Sequence, residues 1–224
     1  MKNIFKPGSL FTAQVLFVLV VLHLAGLLAP QKFPDSYDYL NYFAPGGSGV
    51  LMLESMLSGM RTFGYPLFLK IVSYVTPGFS LLPLIHYLLY VGAILVFWKA
   101  LRVWGFGRWS SFVAASALLY EKSMLQSVGC VLTEALSLTM FVLSAALLLF
   151  TAARPRRILY WILLVAAVFY SYQVRPSNLI LICTFPVTGF LLMYIRRRWE
   201  ERRPALSPVP FAVLVLIACI VPFI

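Results

Sequence analysis

The chain has 224 residues, 62% of them hydrophobic and 11% charged, with a formal net charge of +11. A mean hydropathy of +0.91 and apolar runs of about 20 residues exclude a soluble globular domain and predict membrane spans. The basic residues sit in short caps between those runs and not along one amphipathic face, which argues against a nucleic-acid partner.

Lys2 and Lys6 precede an uninterrupted apolar run over residues 10–28. It is longer than a signal-peptide core and lacks a clear cleavage site, so it reads as a retained first span. Residues 30–75 follow, a connection carrying Asp35, Asp38, Glu54 and Arg61 that is too long and too polar for a mere linker. It holds PDSYDYL at 34–40, a flexible PGGSG bend at 45–49 and RTFGYPLFL at 61–69. Pro66 suits a first helical turn. Leu67, Phe68, Ile71, Val72 and Val75 then share one face, with Lys70 and Ser73 on the other. A segment this short does not span, and it is expected to lie along the membrane surface.

Further spans are predicted over residues 79–101, 109–124, 128–152, 158–172, 179–195 and 209–224. The predicted fold is all-α: a polytopic membrane helix bundle of about seven spans, residues 1–224 forming one membrane domain, with a long first extracytoplasmic loop containing a surface amphipathic helix. With the N-terminus cytoplasmic, 13 of the 18 basic residues fall inside, in the clusters 2–6, 99–108, 154–157 and 196–203. That bias is the one expected of an inner or plasma membrane protein in this orientation. The run RRRWEERR is read as a topology signal at the membrane surface.

Cys130, Cys183 and Cys219 all lie in apolar runs without CxxC spacing and are expected to fill the core. His23 and His86 stand alone, without a partner at i+4, and are expected to be buried and hydrogen-bonded; no metal site is assigned to them. Glu54, Glu121 and Lys122 read as solvated loop charge. Tyr37, Tyr39, Tyr42 and Tyr65 could stack on a sugar, although tyrosine at a membrane interface is expected without any ligand.

The charged residues most in need of explanation fall on the outer face: Asp35 and Asp38 beyond the first span, Arg61 before the surface helix, Glu134 in the first turns of the fourth span and Arg175 between the fifth and sixth. A carboxylate inside a span costs about 2.5 to 3.5 kcal/mol on insertion scales, so Glu134 needs a partner or a wet cavity. Either it forms an ion pair with Arg175 that only fixes helix packing, or it forms the polar wall of a site open to the outside.

The order D-S-x-x-Y (Asp35, Ser36, Tyr39), R-x-x-x-Y-P-L (Arg61, Tyr65, Pro66, Leu67), T-E (Thr133, Glu134) and R-P (Arg175, Pro176) resembles the GT-C superfamily of polyprenyl-phosphate-sugar-dependent glycosyltransferases. The branch it is most similar to is that of the protein O-mannosyltransferases and lipid A aminoarabinose transferases. The resemblance runs over nearly the whole chain but covers only the N-terminal part of such enzymes, which implies the N-terminal portion of a longer fold and a possible second half or partner subunit. It departs from the family in having Asp35-Ser36 where an acidic pair is common, and Thr62-Phe63-Gly64 inside the run that ends in Tyr65-Pro66. The resemblance implies transfer of a sugar from a polyprenyl-phosphate donor to an acceptor on the extracytoplasmic face.

Such a reaction needs one base for the acceptor hydroxyl, because the phosphate leaves as a stable anion. Asp35 is the implied base and Asp38, three residues on, the alternate. Arg61 and Arg175 match phosphate oxygens in charge and geometry, and with Tyr65 and Glu134 make up the candidate substrate-binding set. Arg61 could equally be a snorkelling interface anchor. The acidic residues form no clear ligand set for a divalent cation, so the cofactor stays open. The competing readings are a transporter or flippase with Glu134 and Arg175 along its path, and a truncated, non-catalytic accessory membrane protein. Inverted repeats and broken mid-span helices, the usual marks of transporters, are not visible.

Overall fold

A computed structural model of the chain describes residues 6–42, 62–199 and 207–220. These residues form α1 (Pro7–Leu24), α2 (Pro34–Leu40), α3 (Gly64–Val75), α4 (Leu82–Trp104), α5 (Arg108–Leu119), α6 (Lys122–Ser127), α7 (Thr133–Ala153), α8 (Ile158–Val174), α9 (Leu181–Trp199) and α10 (Pro208–Ile220). Short 3-10 turns stand at Pro77–Phe79 and Pro176–Ile180. The described residues contain no sheet, only an isolated parallel bridge between Gln31 and Cys130. Four stretches are helical, long and apolar enough to cross a membrane: Pro7–Leu24, Leu82–Trp104, Thr133–Ala153 and Pro176–Arg198. The apolar helices α8 and α10 are shorter.

The span expected over residues 109–124 is instead two helices, α5 and α6. The break has a chemical cause. Glu121 turns back on the chain and accepts the Met124 N–H at 2.7 Å as the N-cap of α6. Burial would raise this carboxyl, but hydrogen bonds from the Met124 and Ser123 backbone and the Ser123 hydroxyl outweigh it and hold it below its usual range. Glu121 is therefore a helix cap, not the solvated loop charge expected of it.

The centre of the bundle is α7: 67% of its apolar window is enclosed, against 17% for α1. Its most extensive neighbour is α4. Small residues permit that approach, Ala100 of α4 packing with Ala146 and Phe150 of α7. The hydroxyls of Thr139 and Thr151 return to the carbonyls of Ala135 and Leu147 at 2.8 Å, so these two buried hydroxyls are satisfied within the helix. On one side of this pair, Phe11, Val18 and Leu22 of α1 meet Tyr87, Tyr90 and Ile94 of α4 and Leu119 of α5. Tyr87 donates to the Val15 carbonyl at 2.7 Å and Tyr90 to Leu118 at 2.8 Å, which ties α1 and α5 to α4. On the other side, α8 and α9 pack on α7, α3 packs on α8, and α10 packs on α9 and α8, with Phe68, Leu164, Phe185 and Phe211 joining one apolar cluster.

Three expectations need correction. Helix α3 buries Tyr65, Phe68, Leu69 and Val72 against the core, whereas Ile71 and Val75, expected on the same face, are exposed beside Tyr74. The stripe at i, i+3, i+4 and i+7 is the one that packs, and α3 rests against α8 as well as presenting an outer surface. Cys183 is exposed on α9, while Cys130 and Cys219 are buried. His23 is exposed near the end of α1; only His86 is buried, its Nδ1 at 3.1 Å from the Val128 carbonyl.

Candidate functional site

Three local devices gather distant segments at one end of the bundle. The first joins the stretch after α1 to the one before α7. The Gln31 N–H donates to Gly129 O at 2.8 Å and the Val131 N–H to Gln31 O at 2.9 Å. The buried Ser36 hydroxyl continues the link, donating to Val131 O at 2.8 Å while accepting the Phe33 N–H at 2.9 Å. Gly129 is required here, because a Cβ would stand 2.5 Å from the Leu27 carbonyl oxygen. This seam carries Asp35, in the first turn of α2, up to Thr133 and Glu134, in the first turn of α7.

The second device sets the start of α3 against the end of α8. A Cβ on Gly64 would lie 2.5 Å from the backbone of Gln173, and Tyr170 donates to the Gly64 carbonyl at 3.0 Å. The third is Asn178, whose amide donates to Ser171 O at 3.0 Å and to the hydroxyls of Ser171 and Ser137 at 2.9 Å. Its own N–H closes the turn onto Arg175 O at 2.9 Å. Asn178 thus joins α7, the end of α8 and the turn that holds Arg175.

Between these segments lies a cavity of about 330 Å³ lined by Asp35, Tyr39, Thr62, Thr133, Glu134, Val174, Arg175 and Pro176. That volume is at the lower end of the range for small-ligand pockets. The Arg175 guanidinium reaches Glu134 Oε1 at 3.2 Å through Nη1, with the side chains 42% and 39% exposed respectively. A pair so open to solvent is worth at most about 1 kcal/mol and does not lock either side chain. Glu134 gains further from its place in the first turn of a long helix, where the macrodipole favours negative charge. Its second oxygen is buried and has no hydrogen-bond partner among the described residues.

Behind the cavity wall stands Tyr65. It is fully buried and meets the ring of Tyr39 edge-on at 5.2 Å. Burial, then Tyr39 and the Glu134 carboxylate, push its phenol well above the ordinary value, so it stays protonated. Its hydroxyl too lacks a hydrogen-bond partner among the described residues. Tyr65 also stacks near Phe68 and His86, with centroids 6.0 and 6.2 Å away.

Of the sequence-derived candidates, Asp35, Glu134 and Arg175 line one cavity, and Tyr65 lies beneath it. Asp38 is on the same short helix as Asp35 and exposed, but it is not among the lining residues. Arg61 lies outside the described residues, as do Glu54 and the 45–49 bend. Among the described residues no cluster of three or more His, Cys, Asp or Glu side chains could hold a metal ion. Sequence reasoning passed over Asn178; an amide at the head of an apolar run is the signal that marks it.

The other end of α7 carries the opposite chemistry. Arg196 of α9 donates to the last carbonyls of α7, Ala152 O at 3.0 Å and Ala153 O at 2.9 Å, and its guanidinium lies 5.7 Å from the centre of the Trp104 ring. The cavity and this basic end are separated by the length of α7, about 30 Å at 1.5 Å per residue. Comparison with protein-family models, with curated proteins and with solved structures finds no match to this chain.

Proposed function

We propose that the chain is a membrane glycosyltransferase that moves a sugar from a polyprenyl-phosphate donor to an acceptor hydroxyl on the extracytoplasmic face of the cell membrane. The reading is carried by one observation: a base-competent carboxylate, Asp35, and a guanidinium, Arg175, converge on one cavity from segments far apart in sequence. In this reaction the acceptor oxygen attacks the sugar's anomeric carbon, the bond from that carbon to the phosphate oxygen breaks, and the lipid phosphate leaves as an anion. Asp35, exposed at the cavity rim, takes the acceptor's proton. Arg175 holds the phosphate, for which a permanently charged planar donor set is suited.

The broken pair α5 and α6, taken together, and the shorter apolar helices α8 and α10 complete about seven crossings with the four long ones. The N-terminus and the Arg196 end of the bundle are then cytoplasmic, and the cavity faces outward.

The test is sugar transfer from a labelled polyprenyl-phosphate sugar in membranes carrying the full chain, with donor binding measured in parallel. Asp35→Asn keeps size but cannot accept the proton, and transfer falls by about 10²- to 10⁴-fold while donor binding survives. Arg175→Ala weakens donor binding instead. Full transfer by Asp35→Asn moves the base to Asp38 or removes catalysis from this loop.

A further inference from the structure

We infer that Glu134 is an exchangeable counter-ion: it holds Arg175 while the cavity is empty, and an entering phosphate anion displaces it from Arg175 onto the hydroxyl of Tyr65. This rests on the glycosyltransferase reading for the identity of the anion as a lipid phosphate, while the exchange itself is argued from the contacts and the unsatisfied groups at the cavity. Three observations carry it.

Arg175 and Glu134 meet through a single contact of 3.2 Å, not a two-pronged fork, and both side chains are open to the cavity. A guanidinium has five donors, so most of its capacity for a bidentate oxyanion is unspent in this arrangement. Next, the other oxygen of Glu134 and the hydroxyl of Tyr65 are both buried and both lack a partner among the described residues. Two orphaned groups, one an acceptor and the other a protonated donor, are costly apart and complementary together. Last, they lie within electrostatic range of one another: the Glu134 charge acts on the Tyr65 phenol, and Tyr39, which lines the cavity, lies edge-on against the Tyr65 ring. Displacing Glu134 from Arg175 therefore need not strand its charge.

The consequence is unusual for a residue lining a substrate pocket. If Glu134 only lined the site or only bound the sugar, its removal would weaken the ligand. As a competitor for Arg175, its neutralisation strengthens the anion.

The experiment uses the full chain in phosphatidylcholine nanodiscs, with farnesyl phosphate as probe, farnesol as the neutral control and inorganic phosphate as the free-anion control, binding being read by calorimetry. Glu134→Gln, which keeps shape and loses charge, is expected to bind farnesyl phosphate about two- to fivefold more tightly, the range for an exposed ion pair released from competition. Tyr65→Phe is expected to bind it about tenfold more weakly, because the displaced carboxylate loses a charge-assisted donor. In the double variant the Tyr65→Phe penalty shrinks below about threefold, since the two positions are coupled; a purely structural tyrosine would give the same penalty in both backgrounds. Thermal unfolding of each variant without ligand separates lost folding from lost binding.

Unchanged or weaker binding by a folded Glu134→Gln overturns the exchange and leaves the glycosyltransferase reading standing. Equal responses to inorganic phosphate and farnesyl phosphate support the exchange and overturn the lipid as its source. No binding of either anion by the parent chain and by Glu134→Gln overturns both.

Discussion

Asn178 illustrates how much can hang on one side chain in a low-dielectric setting. Its amide serves Ser137, Ser171 and the Ser171 carbonyl at once, so it braces the helix that carries Glu134 against the helix that ends just before Arg175. Asn178→Ala leaves the two hydroxyls and the carbonyl without that donor. The expected loss is about 1 to 3 kcal/mol of stability, measured by unfolding in detergent. Because the backbone N–H of Asn178 also closes the turn on Arg175 O, the turn itself survives. Anion binding by Asn178→Ala is therefore expected to fall less than that of Arg175→Ala. An equal fall in the two variants would show that Asn178 orients Arg175 directly. The Asp35 and Asp38 pair makes the complementary point: one short helix carries both, yet only Asp35 lines the cavity.

Where elements meet, two glycines govern the site, and neither does so through a left-handed backbone. Gly129 and Gly64 are contact points at which another chain segment occupies the volume of a Cβ. At Gly129 the obstacle is the Leu27 carbonyl, and at Gly64 the backbone of Gln173. Backbone cannot swing aside as a flexible side chain can, so alanine at either position forces the segments apart and costs about 1 to 3 kcal/mol. The two substitutions should differ in function. Gly129→Ala opens the seam that carries Asp35 to Glu134 and is expected to slow sugar transfer more than donor binding. Gly64→Ala shifts α3 against the end of α8, beside Arg175, and is expected to weaken donor binding first. Parallel transfer and binding assays on both variants, with thermal unfolding as control, decide this.

Across the whole molecule, α7 separates two chemistries: the acid- and arginine-lined cavity at its start and the Arg196 cap on its last carbonyls at its end. If α7 crosses the membrane with its start outward, the exposed Tyr37 on α2 faces outside and the exposed Arg156, before α8, faces the cytoplasm. In a cysteine-free background, cysteine at Tyr37 should react with an impermeant thiol reagent added to intact cells, and cysteine at Arg156 only after permeabilisation. The reverse pattern inverts the molecule and removes the cavity from the outer face.

The helical class and most helix positions follow from the sequence alone, because a bilayer leaves a backbone little choice: apolar runs of about 20 residues must satisfy their own hydrogen bonds as helices. The charges worth asking about were legible for the same reason, since Glu134 and Arg175 are conspicuous against so apolar a chain. The break at Glu121 was not, because a carboxylate turning back to cap a helix has the same local composition as one in solvent. Nor was the buried face of α3: its apolar stripe is wide enough for two registers, and only packing against α8 and the shared core selects Tyr65, Phe68, Leu69 and Val72 over Ile71 and Val75. The meeting of Asp35, Glu134 and Arg175 at one cavity likewise belongs to tertiary structure. It depends on a Gln31–Gly129 seam, a Gly64–Gln173 contact and an Asn178 brace, each joining positions whose separation along the chain carries no trace of their distance in space.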